Sequence, residues 1–140
     1  MTRMRKALLD PQDYGTLAEF RYLIRCFLEF SQTAARAAGL TTRQHQALLA
    51  IKGFRRHASP TVGDLAERLR IQHHSAVELM DRLVEAGLIV RAHDTGDRRR
   101  VLLTLTEAAE EHLADLSTVH LEELHRLRAT LLEILERAGG

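Results

Sequence analysis

The sequence predicts a mainly α-helical chain carrying one small β-hairpin, and three observations lead there. Apolar residues recur at steps of three and four over long stretches near both ends of the 140 residues. Two shorter helical segments in the middle are separated only by Arg70-Ile71-Gln72. The stretch 88–106, LIVRAHDTGDRRRVLLTLT, reads as two short runs around turn-forming residues. A chain of this length with 45% hydrophobic residues can bury one substantial core, and nothing marks a second independently packed domain.

Taken in order, the first six residues hold Arg3, Arg5 and Lys6 with no apolar pattern and read as an arm. A helix is predicted over 13–38, where Leu17, Phe20, Ile24, Phe27 and Ser31 keep helical spacing and Gly39 ends it. Five of the six aromatic residues (Tyr14, Phe20, Tyr22, Phe27, Phe30) fall in this element. Aromatics on more than one side of a helix must be buried on more than one side, which calls for a packing partner beyond its own domain.

Thr41 or Thr42 caps a second helix that runs to Gly53 with Ala47, Leu48 and Ile51 inward. Phe54 to Pro60 is a polar, basic connector. Thr61-Val62-Gly63-Asp64 has capping-box spacing, with Asp in the usual Glu position, and opens a short helix that packs Val62, Leu65, Ala66 and Leu69. A fourth helix follows from about His73 to Ala86 and stops at Gly87, with Ala76, Met80 and Leu83 on its buried line. Two short helices joined by a tight turn form a helix-turn-helix, here without the glycine often found in the turn.

In the hairpin, Leu88, Val90 and Ala92 alternate with Ile89, Arg91 and His93, and Val101, Leu103 and Leu105 alternate with Leu102 and Thr104. Asp94-Thr95-Gly96-Asp97 supplies the turn and puts Arg98, Arg99 and Arg100 at its tip. Thr106 then caps a last helix whose stripe, from Ala109 through Leu113, Leu116, His120, Leu124, Leu127 and Leu131 to Ile134, persists for about seven turns. Ser117-Thr118 is its weakest point for helix propensity and the place for any bend or break. A stripe this long outruns one small domain and argues for a helical dimer interface made with the 13–38 helix of a second chain. The organisation expected is a single domain over 1–140, with 13–38 and 106–138 as a dimerisation region around a winged helix-turn-helix at 42–105.

Charge follows the same division. The overall charge is +1, yet 40–105 carries eleven Lys or Arg against seven acids, so that segment is +4 and the remainder −3. Between Thr106 and Glu123 there are six acids and no Lys or Arg. A basic middle between acidic helices fits a DNA-binding module on a dimerising frame. On the helix over 73–86, His73, His74, Ser75, Glu78 and Arg82 fall on or near the solvent side, and all can address bases or phosphates.

The order LLAI, TVGDLAERL, HHSAVELMDRLVEAGLIVR, DTGDRRRVLLTLT and a long C-terminal helix resembles the MarR (multiple antibiotic resistance regulator) family over about 42–127. Asp94-x-x-Asp97-Arg98-Arg99 followed by LLTLT is the most diagnostic part. The resemblance implies a homodimer on a pseudo-palindromic operator, usually a repressor; two-fold symmetry alone puts the half-sites roughly 34–36 Å apart. It also implies that Arg98 or Arg99 enters the minor groove, that Asp97 buttresses the wing, and that Arg100 touches phosphate at most. A small aromatic or phenolic effector is expected in a crevice between the dimer helices and the winged domain, with an Arg or His partnering its carboxylate. Thr95-Gly96 departs from the family, where proline and a charged residue are common, and Ala109 replaces a usual glycine.

Rival readings rest on less. Cys26 is the single cysteine, so no internal disulfide forms. In a first helix it could sense peroxide if Arg25 or a tyrosine lowered its pKa, against the plainer reading of a buried thiol beside Phe27. Zinc is unmotivated, because no histidine pair has three- or four-residue spacing: His112, His120 and His125 lie eight and five apart. A cross-element set of Cys26, His45 and His112 has nothing to recommend it. No phosphate loop, nucleophile elbow or HExxH is present, so neither an enzyme nor a cofactor is expected. A winged helix used for protein contact has less reason to keep an arginine tip. With no run of about 18 apolar residues and no signal pattern, a cytoplasmic protein without membrane contact is expected.

Overall fold

The computed structural model describes residues 9–56 and 59–139. The basic arm at Arg3, Arg5 and Lys6 and two residues of the connector lie outside them. The order is α1 (Pro11–Ala37), α2 (Thr42–Lys52), α3 (Val62–Leu69), α4 (His73–Glu85), β1 (Ile89–His93), β2 (Val101–Leu105) and α5 (Glu107–Gly139). The chain forms two compact units: α1 to Thr33 with α5 from Val119, and the central residues 34–118.

The central unit is a three-helix core closed by a two-stranded antiparallel sheet. Its largest fully buried side chains are Leu48, Leu65, Leu83 and Leu103, one each from α2, α3, α4 and β2. Ala35, Leu40, Ala109, Leu113 and Leu116 complete the cluster. Truncating one of these leucines costs about 2–5 kcal/mol, since it leaves a void as well as losing apolar burial.

Three helices end by one device. Leu40 N–H donates to Ala35 O (2.9 Å), Ile71 N–H to Ala66 O (3.0 Å) and Leu88 N–H to Leu83 O (2.9 Å). Each closure needs a left-handed residue just before the donor. Gly39 (φ 80°) and Gly87 (φ 72°) fill two of these positions, and Arg70 (φ 57°) fills the third. The helix-turn-helix turn therefore manages without glycine by holding Arg70 in the left-handed region. The residue after each is apolar, and Leu40 and Leu88 are buried.

The starts are equally specific. Thr41 Oγ1 accepts from Gln44 N–H (3.0 Å), while Gln44 Oε1 accepts from Thr41 N–H (3.0 Å). Thr61 and Asp64 form the second box, with Asp64 Oδ2 accepting from Thr61 N–H at 2.8 Å. Asp serves in place of Glu. α1 begins two residues earlier than the sequence pattern suggested, with Pro11 in its first turn and Asp10 Oδ1 accepting from Asp13 N–H at 3.0 Å.

The hairpin pairs Ile89 with Leu105, Arg91 with Leu103 and His93 with Val101. Burial in β1 does not alternate: Leu88 and Ile89 are both buried, and beyond them the strand is exposed, Val90 to 52%. Leu88 belongs to the helix closure rather than to the strand, which breaks the period. The hairpin base is tied down by Thr106 Oγ1 donating to Gly87 O (2.7 Å) and by Leu103 N–H donating to Pro60 O (2.9 Å). Helix α5 runs without a break through Ser117-Thr118, where Thr118 Oγ1 donates back to Ala114 O (2.9 Å).

In the terminal unit, Ile134 and Thr16 are buried. His120 Nε2 lies 2.8 Å from Ser31 Oγ, with Phe27 and Phe30 edge-on to its ring. No helix among the described residues is long and apolar enough to cross a membrane.

Candidate nucleic-acid interface

Helix α4 is the centre of the site. Ala76, Leu79, Met80 and Leu83 anchor it in the core, which turns His73, His74, Glu78 and Arg82 to solvent and leaves Ser75 half-buried. Every other helix has a side-chain oxygen over its first turn: Asp10, Thr41, Thr61 or Thr106. Gln72 makes no such bond, so the first amides of α4 are open to an anion.

A cleft of about 410 Å³ on one flank of α4 is lined by the start of α3, by His73 and Val77, and by Arg99, Arg100 and Val101. A second, of about 280 Å³, lies on the other flank, where Ser75, Glu78 and Arg82 meet Arg43 and Gln44 of α2. Of the sequence-predicted residues, His73, Arg99 and Arg100 thus line one cleft and Ser75, Glu78 and Arg82 the other, while His74, Asp97 and Arg98 line neither. Arg43 and Gln44 escaped the sequence reading, although their place in the first turn after a capping threonine was a signal.

The hairpin tip is organised by its two aspartates. Asp97 Oδ1 accepts from Arg99 N–H (3.0 Å) and from Arg99 Nε (3.3 Å). Asp94 Oδ1 accepts from Gly96 N–H (3.0 Å), and its Oδ2 lies 3.5 Å from the Arg100 guanidinium. His93 Nδ1 lies 2.9 Å from Arg98 O, so it donates there. Arg98 is exposed and makes no ion pair among the described residues, whereas Arg99, 93% exposed, keeps Asp97. Asp94 was read as part of the turn, as its bond to Gly96 bears out, but its ion pair with Arg100 and the bond of His93 were missed.

Cys26 lies in the terminal unit, half-buried. A hydrogen bond with Cys26 holds the Tyr22 hydroxyl above the ordinary phenol range. No cluster of three or more His, Cys, Asp or Glu suited to a metal ion occurs among the described residues.

Two short helices joined by a tight turn and followed by a hairpin that projects arginines make this a winged helix-turn-helix protein. Residues 38–100 match the MarR family model, and the chain belongs to the MarR family. It is 35% identical over 98 residues to the uncharacterized HTH-type transcriptional regulator YcgE of Bacillus subtilis, a match covering 69% of this chain. That match spans 61% of the relative's own length. Among solved structures, AbsC, a MarR family transcriptional regulator from Streptomyces coelicolor, superposes with a TM-score of 0.73 at 20% identity, over 98% of this chain and 93% of AbsC. The transcriptional repressor CouR bound to a 23-mer DNA duplex gives 0.65 at 25% identity, over 88% of this chain and 90% of CouR. CouR from Rhodococcus jostii has also been solved with p-coumaroyl-CoA.

Proposed function

We propose that this protein is a transcriptional repressor that binds a pseudo-palindromic operator as a homodimer. In this reading α4 enters the major groove, its open first-turn amides take a phosphate, and the arginine tip enters the adjacent minor groove. The observation that carries it is the pair of clefts flanking α4, which draw His73, Arg99 and Arg100 to one side and Arg43 and Arg82 to the other. A duplex lying across α4 meets positive charge on both flanks. Similarity to the DNA-bound repressor CouR supports the same reading.

Dimerisation is supported by the terminal unit, where Tyr14, Leu17, Tyr22, Leu28, Leu121 and Leu135 are all more than half exposed. That much apolar surface on two helices is what a second copy covers. An aromatic or phenolic effector that releases DNA belongs to the same proposal, and CouR's phenolic thioester offers a parallel.

The test is operator binding by fluorescence anisotropy on the DNA beside the protein's own gene and on random DNA, at one physiological salt concentration. The expected result is nanomolar affinity with at least ~10³-fold preference for the first. A folded dimer that prefers neither sequence overturns the proposal in favour of a protein-interaction module.

In a second reading, peroxide oxidises the half-buried Cys26 thiol of α1 to a sulfenic acid, the peroxide being reduced to the alcohol, and DNA is released. Release by cumene hydroperoxide that persists in Cys26→Ser eliminates it.

A further inference from the structure

We propose that Arg91 and Asp81 form a positioning pair that sets the wing against the recognition helix, and that Arg91 does not itself contact phosphate. The inference rests on the reading of α4 and the hairpin as the DNA-contacting elements. Arg91 stands at the middle of β1, opposite the fully buried Leu103, and one of its guanidinium nitrogens donates to Asp81 Oδ1 at 2.9 Å. Among the described residues this is the one side-chain hydrogen bond from β1 to α4.

The other attachments of the hairpin lie elsewhere. Leu103 N–H to Pro60 O and the bridge between Thr61 and Leu102 hold β2 to the start of α3. The bonds of Thr106 hold the base. Beyond Ile89, β1 has no buried residue, so its apolar contacts do not fix how the outer half of the hairpin leans. A guanidinium bonded directionally to a carboxylate one helix away fixes that lean. Both side chains are about half exposed, so the pair adds little to stability; its effect is geometric. With the carboxylate at contact distance, Arg91 also offers little net charge to a phosphate.

The experiment uses the full-length chain as Arg91→Ala, Asp81→Asn and the double variant, with two readouts. In DNA-free protein, hydrogen exchange of the Val90, Ala92 and Asp94 amides, which face β2, is expected to quicken severalfold in each variant. The double variant should be no faster than the faster single. On DNA, the operator-to-random affinity ratio is expected to fall two- to tenfold in each variant, again without addition, and the salt dependence to keep its slope.

A phosphate contact predicts otherwise. Arg91→Ala then lowers the slope by about one, while Asp81→Asn leaves binding unchanged or tighter. That pattern overturns the inference, as does unchanged exchange in both single variants. Exchange needs no DNA, so a wild-type protein that prefers no sequence refutes the DNA reading, while the exchange rates still decide whether Arg91 and Asp81 position the hairpin. The charge-reversed pair, Asp81→Arg with Arg91→Asp, is expected to restore the exchange protection, which a merely misfolded single variant cannot explain.

Discussion

At the hairpin tip, three adjacent arginines differ in what holds them. Arg99 has Asp97 and Arg100 has Asp94, while Arg98 makes no ion pair among the described residues. Arg98→Ala is therefore expected to weaken operator binding most, by about 1–3 kcal/mol or roughly five- to 150-fold, in anisotropy titrations at fixed salt. Asp97→Ala is expected to act indirectly, because it frees the Arg99 backbone amide and side chain together. Wild-type affinity in both variants removes the tip from the interface. The run DRRR was legible in the sequence, but the division of labour within it was not, since that depends on which way the loop backbone turns. Glu123 shows the same limit: the hydrogen bond from Arg126 holds its carboxyl below the usual range. A depressed carboxyl stabilises fully above its unfolded value and loses that contribution as pH falls through the folded value. Urea midpoints of wild type and Arg126→Ala should accordingly differ at neutral pH and converge in acid.

The elements were read largely from their ends. Thr61-x-x-Asp64 announced α3, and its box is present; Thr61→Ala is expected to cost about 1 kcal/mol in urea unfolding. Gly39 and Gly87 marked two closures by residue type alone. The third was hidden because Arg70 occupies a position that glycine takes elsewhere, so only the observed φ of 57° shows it. Holding a side chain there costs about 1–2 kcal/mol. Arg70→Gly is expected to recover part of that, raising stability by roughly 0.5–1 kcal/mol provided the added unfolded-state entropy does not cancel it. A lower urea midpoint in that variant would show that the arginine side chain has a structural role of its own. Ser117-Thr118 is the weakest point of α5 by propensity, yet the helix is continuous through it, as packing overrides propensity.

For the molecule as a whole, the long stripe of α5 was visible from periodicity, but its fate was not. Ala109, Leu113 and Leu116 serve the central core, Ile134 is buried in the terminal unit, and Leu124 stays about half exposed. All keep one period, and periodicity cannot say which residues a second chain covers. Leu121→Glu, at a position 65% exposed, is expected to leave helix content unchanged and raise the dimer dissociation constant at least tenfold in sedimentation equilibrium. Operator affinity should fall with it, since a monomer reaches one half-site only. An unaltered dimer would place the interface elsewhere.

The carboxylates at the hairpin tip bear finally on timing. A charge already engaged by its neighbour pulls weakly at a distance, and most of the attraction that brings protein and duplex together must come from cations other than Arg99 and Arg100. Once docked, those two guanidiniums can exchange their aspartates for the nucleic acid and must exchange back before the partners separate. In the proposed complex Arg99 and Arg100 thus act more on how long it survives than on how quickly it forms, whereas Arg98, which no carboxylate engages among the described residues, serves the approach.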